Sequence, residues 1–309
     1  MVGGVGRKED RKTAYDAGMM KIAYYPGCTL KTTARSFEKS VIASYRVLGI
    51  EYIELEKWTC CGTYFSLAKD DLVHHIASIR NLIRVKEAGY DRVVAPCSMC
   101  YNTLKMANEE VRNDEEKAYR INSFMDEEED YRGDVEVLHP FDLLREVGMD
   151  RVRGAVKKPL EGLKVMPYYG CMLVRPEIAA LGKGELPGIM EDLIKALGGV
   201  PVYTPYNIEC CGSYHVVSNP DFVMARARDI AKKAVMEGAE VIITSCPLCH
   251  YNLDRMQLEA KRKWKDFKEI PAIYFSQLMA IAFGLGKKDI ALDGNYVDPR
   301  PLFEAKGLV

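Results

Sequence analysis

All ten cysteines of this 309-residue chain fall into one pattern used twice. The first set is Cys28, the adjacent pair Cys60-Cys61, and Cys97-Ser-Met-Cys100; the second is Cys171, Cys210-Cys211, and Cys246-Pro-Leu-Cys249. Written as gaps these are C-x31-CC-x35-CxxC and C-x38-CC-x34-CxxC. Neighbouring cysteines are awkward to bridge, because a disulfide needs Cα atoms about 4.4–6.8 Å apart with inward-pointing Cβ vectors. Consecutive residues of an extended segment point opposite ways instead. Each pair is also followed by glycine, as Cys60-Cys61-Gly62 and Cys210-Cys211-Gly212. Ligation or redox chemistry, rather than a Cys–Cys bond, accounts for such a pattern.

The repeat extends past the cysteines. Tyr24–Leu30 matches Tyr169–Val174 in character, Gly89–Asn102 matches Gly238–Asn252, and His139–Gly148 matches Tyr274–Gly286. A period this long means a duplicated domain; solenoid repeats run about 20–50 residues. Each half alternates short apolar runs with amphipathic stretches. A strand at Ile22–Tyr25 is followed by a helix capped at Ser36, with Phe37, Val41, Tyr45 and Leu48 at helical spacing before Gly49. A strand at Glu51–Glu56, a helix over Asp70–Ala88 and a strand at Val93–Ala95 complete the first half. The second half offers Lys164–Met166, Gly188–Leu197, Val200–Tyr203, Asp221–Glu237 and Val241–Thr244. This alternation predicts βαβ units and a parallel sheet. The fold class is therefore α/β, as duplicated Rossmann-like parallel-sheet domains related by a pseudo-two-fold axis. Their expected bounds are 21–150 and 160–309, after a flexible extension over 1–20 and with a linker near Arg151–Leu160. The charged run Asn113–Asp130 reads as a solvated helix or loop.

In each half the single cysteine, the pair and the CxxC follow the ends of three different strands. Ligands of open parallel sheets gather beyond those carboxyl ends, so five sulfurs converge on one region. The formal net charge of −1 gives no basic patch for nucleic acid. The longest apolar stretch, near Leu278–Gly286, is far short of the roughly 20 residues that span a bilayer, and the first twenty residues lack a signal-peptide core. The expectation is a cytoplasmic protein without direct membrane insertion, where ten cysteines serve metals or redox chemistry. Structural zinc takes four ligands, which leaves a fifth sulfur in each set unexplained. Iron–sulfur clusters are held by thiolates and fit better; a cubane would still use four, so five suggest a cluster of another shape.

The doubled motif, with Tyr24–Cys28 near the start of the chain, resembles the CCG-domain family, in particular the B subunit of heterodisulfide reductase. The resemblance covers about residues 21–285. It implies one noncubane [4Fe-4S] cluster held by Cys28, Cys60, Cys61, Cys97 and Cys100. A second would be held by Cys171, Cys210, Cys211, Cys246 and Cys249. It further implies that the facing clusters each give one electron to one sulfur of the CoM-S-S-CoB heterodisulfide, in methanogenesis. The implied partners are the ferredoxin-like C-type component of the same complex, its flavin-containing A-type component, which performs electron bifurcation, and a hydrogenase. The alternative within the same family is an electron-relay or membrane-docking role in a succinate-, glycolate- or lactate-type dehydrogenase complex; a zinc scaffold is a third reading. No flavin or nucleotide fingerprint occurs in the chain.

An anionic substrate calls for fixed positive charge, and Lys31 and Arg175, just past Cys28 and Cys171, are the candidates. His215 and His250 follow the second CCG and second CxxC without histidine counterparts in the first half. They are candidate proton donors for a leaving thiolate, the alternative being that they pack beside the cluster. His74, His75 and His139 are assigned no catalytic role. Gly62 and Gly212 are expected to let backbone approach the cluster, and Tyr64 and Tyr214 to cover it.

Overall fold

The structure, a computed structural model, describes residues 18–63, 72–182 and 186–309. Tyr64 and residues 1–17 of the expected extension lie outside that range. The N-terminal half runs β1 (Met20–Tyr24), α1 (Gly27–Leu30), α2 (Arg35–Val47), β2 (Ile50–Glu54), α3 (Leu72–Glu87), β3 (Arg92–Val94), α4 (Ser98–Asn113), α5 (Glu115–Phe124), β4 (Glu136–Leu138), α6 (Pro140–Val147) and α7 (Met149–Ala155). The C-terminal half runs β5 (Lys164–Pro167), α8 (Ile189–Ala196), β6 (Val200–Pro201), α9 (Pro220–Met236), β7 (Val241–Thr244), α10 (Pro247–Lys263), β8 (Ala272–Tyr274), α11 (Phe275–Ala282), α12 (Lys287–Ile290) and α13 (Arg300–Ala305).

Each half builds a four-stranded, all-parallel sheet, ordered β2-β1-β3-β4 and β6-β5-β7-β8. The two orders are the same, so the duplication holds at the level of topology. The strands most enclosed on both faces are the most apolar: every residue of β7, Val-Ile-Ile-Thr, is buried, as parallel strands covered by helices require. Burying each such aliphatic side chain contributes about 1.5–3 kcal/mol. The strand order reverses beside β1 and β5, and the crevice beyond the carboxyl ends at that switch point is where such sheets bind ligands.

Two local expectations are corrected and a fourth strand is added to each half. The first long helix begins at Arg35 after Ala34, with no side-chain cap, so Ser36 lies inside it. The fourth strands β4 and β8, three residues each, are not among the expected elements and take strand form by pairing with β3 and β7. Part of the expected linker is the helix α7, which buries Val152.

The halves share one continuous apolar core. Phe37 of α2 stacks on Tyr274 with centroids 4.3 Å apart and meets Phe275 edge-on at 5.8 Å. Beside them the hydroxyls of Ser40 and Ser276 share a buried hydrogen bond of 2.6 Å. Among the described residues, no helix is long and apolar enough to cross a membrane.

Candidate functional site

The ten cysteines are free thiols that collect into two groups at the sheet ends. In the N-terminal group the Cys28 and Cys60 sulfurs are 3.9 Å apart, and those of Cys61 and Cys100 are 3.4 Å apart. In the C-terminal group Cys211 and Cys249 repeat the second contact at 3.4 Å, and Cys171 hydrogen-bonds with Cys210. Burial divides each group in the same sense. Cys61, Cys97 and Cys100, like Cys211, Cys246 and Cys249, are buried; Cys28 and Cys60 are exposed, and Cys171 and Cys210 half-buried. Each group therefore has a dry inner side and an open outer side.

The backbone is fitted closely to the sulfurs. Gly27 and Gly170, each just before its single cysteine, have φ of +67° and +65°. A Cβ added at Gly27 would lie 2.8 Å from the Cys100 sulfur, and one at Gly170 would lie 3.2 Å from that of Cys249. Close approach of backbone to sulfur is shared: the Gly212 N–H donates to the Cys210 sulfur at 3.3 Å, while Gly27 and Gly170 lie where a side chain would meet sulfur. Gly62 and Gly212 adopt φ of +73° and +82°, and their added Cβ atoms would face the His74 carbonyl and the Phe222 ring rather than sulfur.

Two tyrosines hold the paired cysteines in place. Tyr25 donates its hydroxyl to the carbonyl of Thr59 (2.7 Å), just before Cys60, and Tyr168 donates to that of Glu209 (2.6 Å), just before Cys210. Asn81 grips the first loop twice, accepting from the Thr59 N–H at 2.8 Å and donating to its carbonyl at 3.1 Å. On the second loop Arg226 donates to the Cys210 carbonyl (3.2–3.3 Å) and pairs with Glu209 at 3.1 Å. Asn252 donates to the Cys211 carbonyl and sulfur. Sequence reasoning gives none of these side chains a role. Aligning the repeats on Gly-Cys pairs Tyr25 with Tyr168, each three residues before its cysteine; Asn81 and Arg226 carry no such signal.

Cys97 and Cys246 are the N-terminal caps of α4 and α10, where a helix end favours a thiolate. Crowding splits the thiols into donors and acceptors. Hydrogen bonds from Cys100 and Cys60 hold Cys61 down to about 4 against burial, and those from Cys100 and Cys246 hold Cys97 low. Bonds from Cys171 and Cys211 hold Cys210 at about 2. The donors move up: Cys60 by its bond to Cys61, Cys100 by those to Cys61 and Cys97, and Cys211, to about 12, by that to Cys210. Several thiols in one dry space cannot all ionise alone, the condition under which bound metal supplies the missing positive charge.

The two groups meet. Cys97 and Cys246 face each other across the halves closely enough that Cys246 helps hold the Cys97 thiol low. Beside them Ser98 and Ser245 share a buried hydrogen bond of 2.6 Å, and Tyr214 after the second CCG reaches Thr63 after the first. The other residues singled out from sequence are placed less uniformly. Lys31 is clamped by Glu38 and Glu54, both at 2.5 Å, so its charge is balanced locally. Arg175 is exposed, its guanidinium donates to the Ile208 carbonyl (3.2 Å), and it has no carboxylate partner among the described residues. His250 is buried, stacked on Tyr274 at 4.2 Å and bonded to Asn295 at 3.2 Å, and burial lowers it to about 4. His215 is exposed, edge-on to Phe222 at 5.5 Å.

The CCG cysteine-rich domain matches residues 22–105 and 165–254, once in each half. The chain belongs to the CCG family. Each CCG match begins within the first strand of its half and ends in the helix opened by the CxxC. Relatives of similar length carry different names. The 8-methylmenaquinol:fumarate reductase membrane anchor subunit of Wolinella succinogenes is 33% identical over 91% of this chain and 99% of its own. The B subunit of the ferredoxin/F(420)H(2)-dependent CoB-CoM heterodisulfide reductase of Methanosarcina acetivorans is 28% identical over 90% of this chain and 94% of its own. An Archaeoglobus profundus protein, named as like the heterodisulfide reductase B subunit, is 27% identical over 91% and 96%. A crystal structure of a hypothetical protein from Helicobacter pylori has the same fold, with a TM-score of 0.68 at 14% identity. It covers 95% of this chain, which spans 58% of that protein's length.

Proposed function

We propose that this chain is an iron–sulfur redox subunit of a multisubunit reductase, and that within it the two halves serve as a catalytic pair for reductive cleavage of a disulfide. The observation that carries the reading is the buried 2.6 Å hydroxyl bond between Ser98 and Ser245, which joins the two complete five-cysteine groups beside Cys97 and Cys246. The donor set suits the cofactor: all-thiol ligands, dry on the inner side, with glycine where a Cβ would collide with sulfur. Cys28, Cys60, Cys61, Cys97 and Cys100 would hold one cluster, and Cys171, Cys210, Cys211, Cys246 and Cys249 the other, both taken as noncubane [4Fe-4S]. Such clusters supply electrons one at a time, and cleaving a disulfide takes two. The residues of the chain supply the rest. The open sides, at Cys28 with Cys60 and at Cys171 with Cys210, give access to substrate. Arg175, an exposed cation without a carboxylate partner, can orient an anionic group there; Lys31 would first have to leave Glu38 and Glu54. His250, held neutral by burial, is a poor proton donor near pH 7, so His215 is the better placed of the two.

By relationship to the heterodisulfide reductase B subunits, the substrate is CoM-S-S-CoB and the partners are ferredoxin-like and flavin-containing subunits, with a hydrogenase. We take 21–150 and 160–309 as the two functional domains, and the chain as a peripheral cytoplasmic component. A second reading, a relay or docking role in a fumarate reductase type of complex, is favoured by the 33% identity to the Wolinella succinogenes protein. Anaerobically purified chain is assayed for iron and sulfide, then for thiol release from CoM-S-S-CoB with reduced viologen as donor. Thiol release supports the disulfide reading. Full iron content without thiol release, together with reduction by a quinol analogue in the presence of its partner subunits, would favour the relay. Zinc in place of iron would overturn both.

A further inference from the structure

Ser98 and Ser245 are absorbed by neither reading. Both are buried, 1% and 0% exposed, and their hydroxyl oxygens lie 2.6 Å apart although the residues are 147 positions apart in the chain. Ser98 follows Cys97 and Ser245 precedes Cys246, so each hydroxyl is adjacent in the chain to a cysteine of its own group, and the bond between them joins the two groups. The pair owns two hydroxyl protons and uses one between its own oxygens. Among the described residues no third partner accepts the other. A dry donor without a protein acceptor, beside two ligand thiols, is aimed at something the site receives.

We propose that Ser98 and Ser245 are positioning residues that lock the two cysteine groups together at Cys97 and Cys246 and couple the two clusters electronically. This rests on the iron–sulfur reading above. The coupling exchanges one electron between the groups, one being oxidised as the other is reduced, with no atom transferred. The hydroxyl bond fixes the separation over which that exchange takes place, and the second hydroxyl proton is available to a sulfur at the junction, a contact of the kind that tunes cluster potential. A chain built this way delivers two electrons from one shared site rather than from two independent stations.

The fold supplies its own control. Ser40 and Ser276 form a second buried hydroxyl pair across the halves, also at 2.6 Å, with no cysteine adjacent to either in the chain. The test compares wild type, S98A, S245A, S98A/S245A, the hydroxyl-retaining S98T, and S40A, each as full chain reconstituted anaerobically. Iron and sulfide per chain, the thermal midpoint, and the electron paramagnetic resonance of fully reduced samples, in which both clusters carry a spin, are recorded. The expected result is magnetic interaction between the clusters in wild type, weakened at least severalfold in S98A and S245A at unchanged iron content. S40A lowers the thermal midpoint by a similar amount but leaves the interaction intact, and S98T recovers it in part. Unchanged interaction in S98A/S245A, or equal weakening in S40A, overturns the proposal while leaving the iron–sulfur reading standing. Wild type without iron overturns that reading first. Should the double variant fail to hold iron, the two single variants decide.

Discussion

At the residue scale the site depends on a few atoms placed against sulfur. Gly27→Ala would force a left-handed φ on alanine and set its Cβ 2.8 Å from the Cys100 sulfur. Both effects strain the turn that presents Cys28. The expected outcome is loss of roughly half the iron per chain, measured after anaerobic reconstitution. Gly154→Ala, in a helix with open space and ordinary φ, should leave iron unchanged and add a few tenths to about 1 kcal/mol of stability. Charge is equally local. Arg175→Ala should weaken binding of an anionic disulfide about tenfold, roughly the 1.4 kcal/mol of one charge-assisted contact. Lys31→Ala should change it little, because Glu38 and Glu54 already balance that lysine; isothermal titration of the two variants separates them. The cysteines themselves were legible in the sequence from spacing alone. Tyr25 and Tyr168 were half-legible, as a repeated tyrosine without a visible task.

At the element scale the decisive fact is that each cysteine segment begins where a strand ends. β1, β2 and β3 are hydrogen-bonded neighbours of one parallel sheet, so their carboxyl ends lie side by side and the three segments converge without any long excursion. Helices α4 and α10 then start on Cys97 and Cys246, adding the field of their N-termini. The strand–helix alternation in the sequence announced this, since buried parallel strands read as short apolar runs. It did not announce β4 and β8, which extend each sheet by pairing with β3 and β7. Nor could it show that α3 reaches back to hold the loop before Cys60. Asn81→Ala removes its bonds to the Thr59 backbone and should cost about 1–3 kcal/mol. In metal-free protein it should also speed alkylation of Cys60 and Cys61 severalfold, followed by mass spectrometry; unchanged labelling would mean that Tyr25 alone holds the loop.

At the scale of the whole molecule the two halves behave as one body, because Phe37 packs on Tyr274 face to face and on Phe275 edge-on across them. Phe37→Ala should destabilise the chain by about 3–5 kcal/mol and lower both halves in one unfolding transition, seen by calorimetry. Stability should also depend on acidity through His139 and His250, which burial holds neutral with pKa values lowered to about 3 and about 4. Unfolded histidine titrates near 6.5, so their contribution is complete above about pH 6.5 and is lost as the pH falls toward 4. For His250 it amounts to about 3 kcal/mol. Asp254, raised by burial to about 6, acts in the opposite sense over part of that range and offsets some of the loss. His250→Asn should therefore narrow the difference between urea midpoints at pH 7 and pH 5. The sequence by itself determined the duplication, the parallel α/β architecture and which ten residues carry the chemistry, because hydrophobic period and cysteine spacing are local and recur in both halves. Only the tertiary structure decided how the halves face each other. Ser98 stands after its cysteine and Ser245 before its own, so no alignment of the repeats pairs them; their bond exists because two sheet ends, remote in the chain, are packed against one another by a shared core.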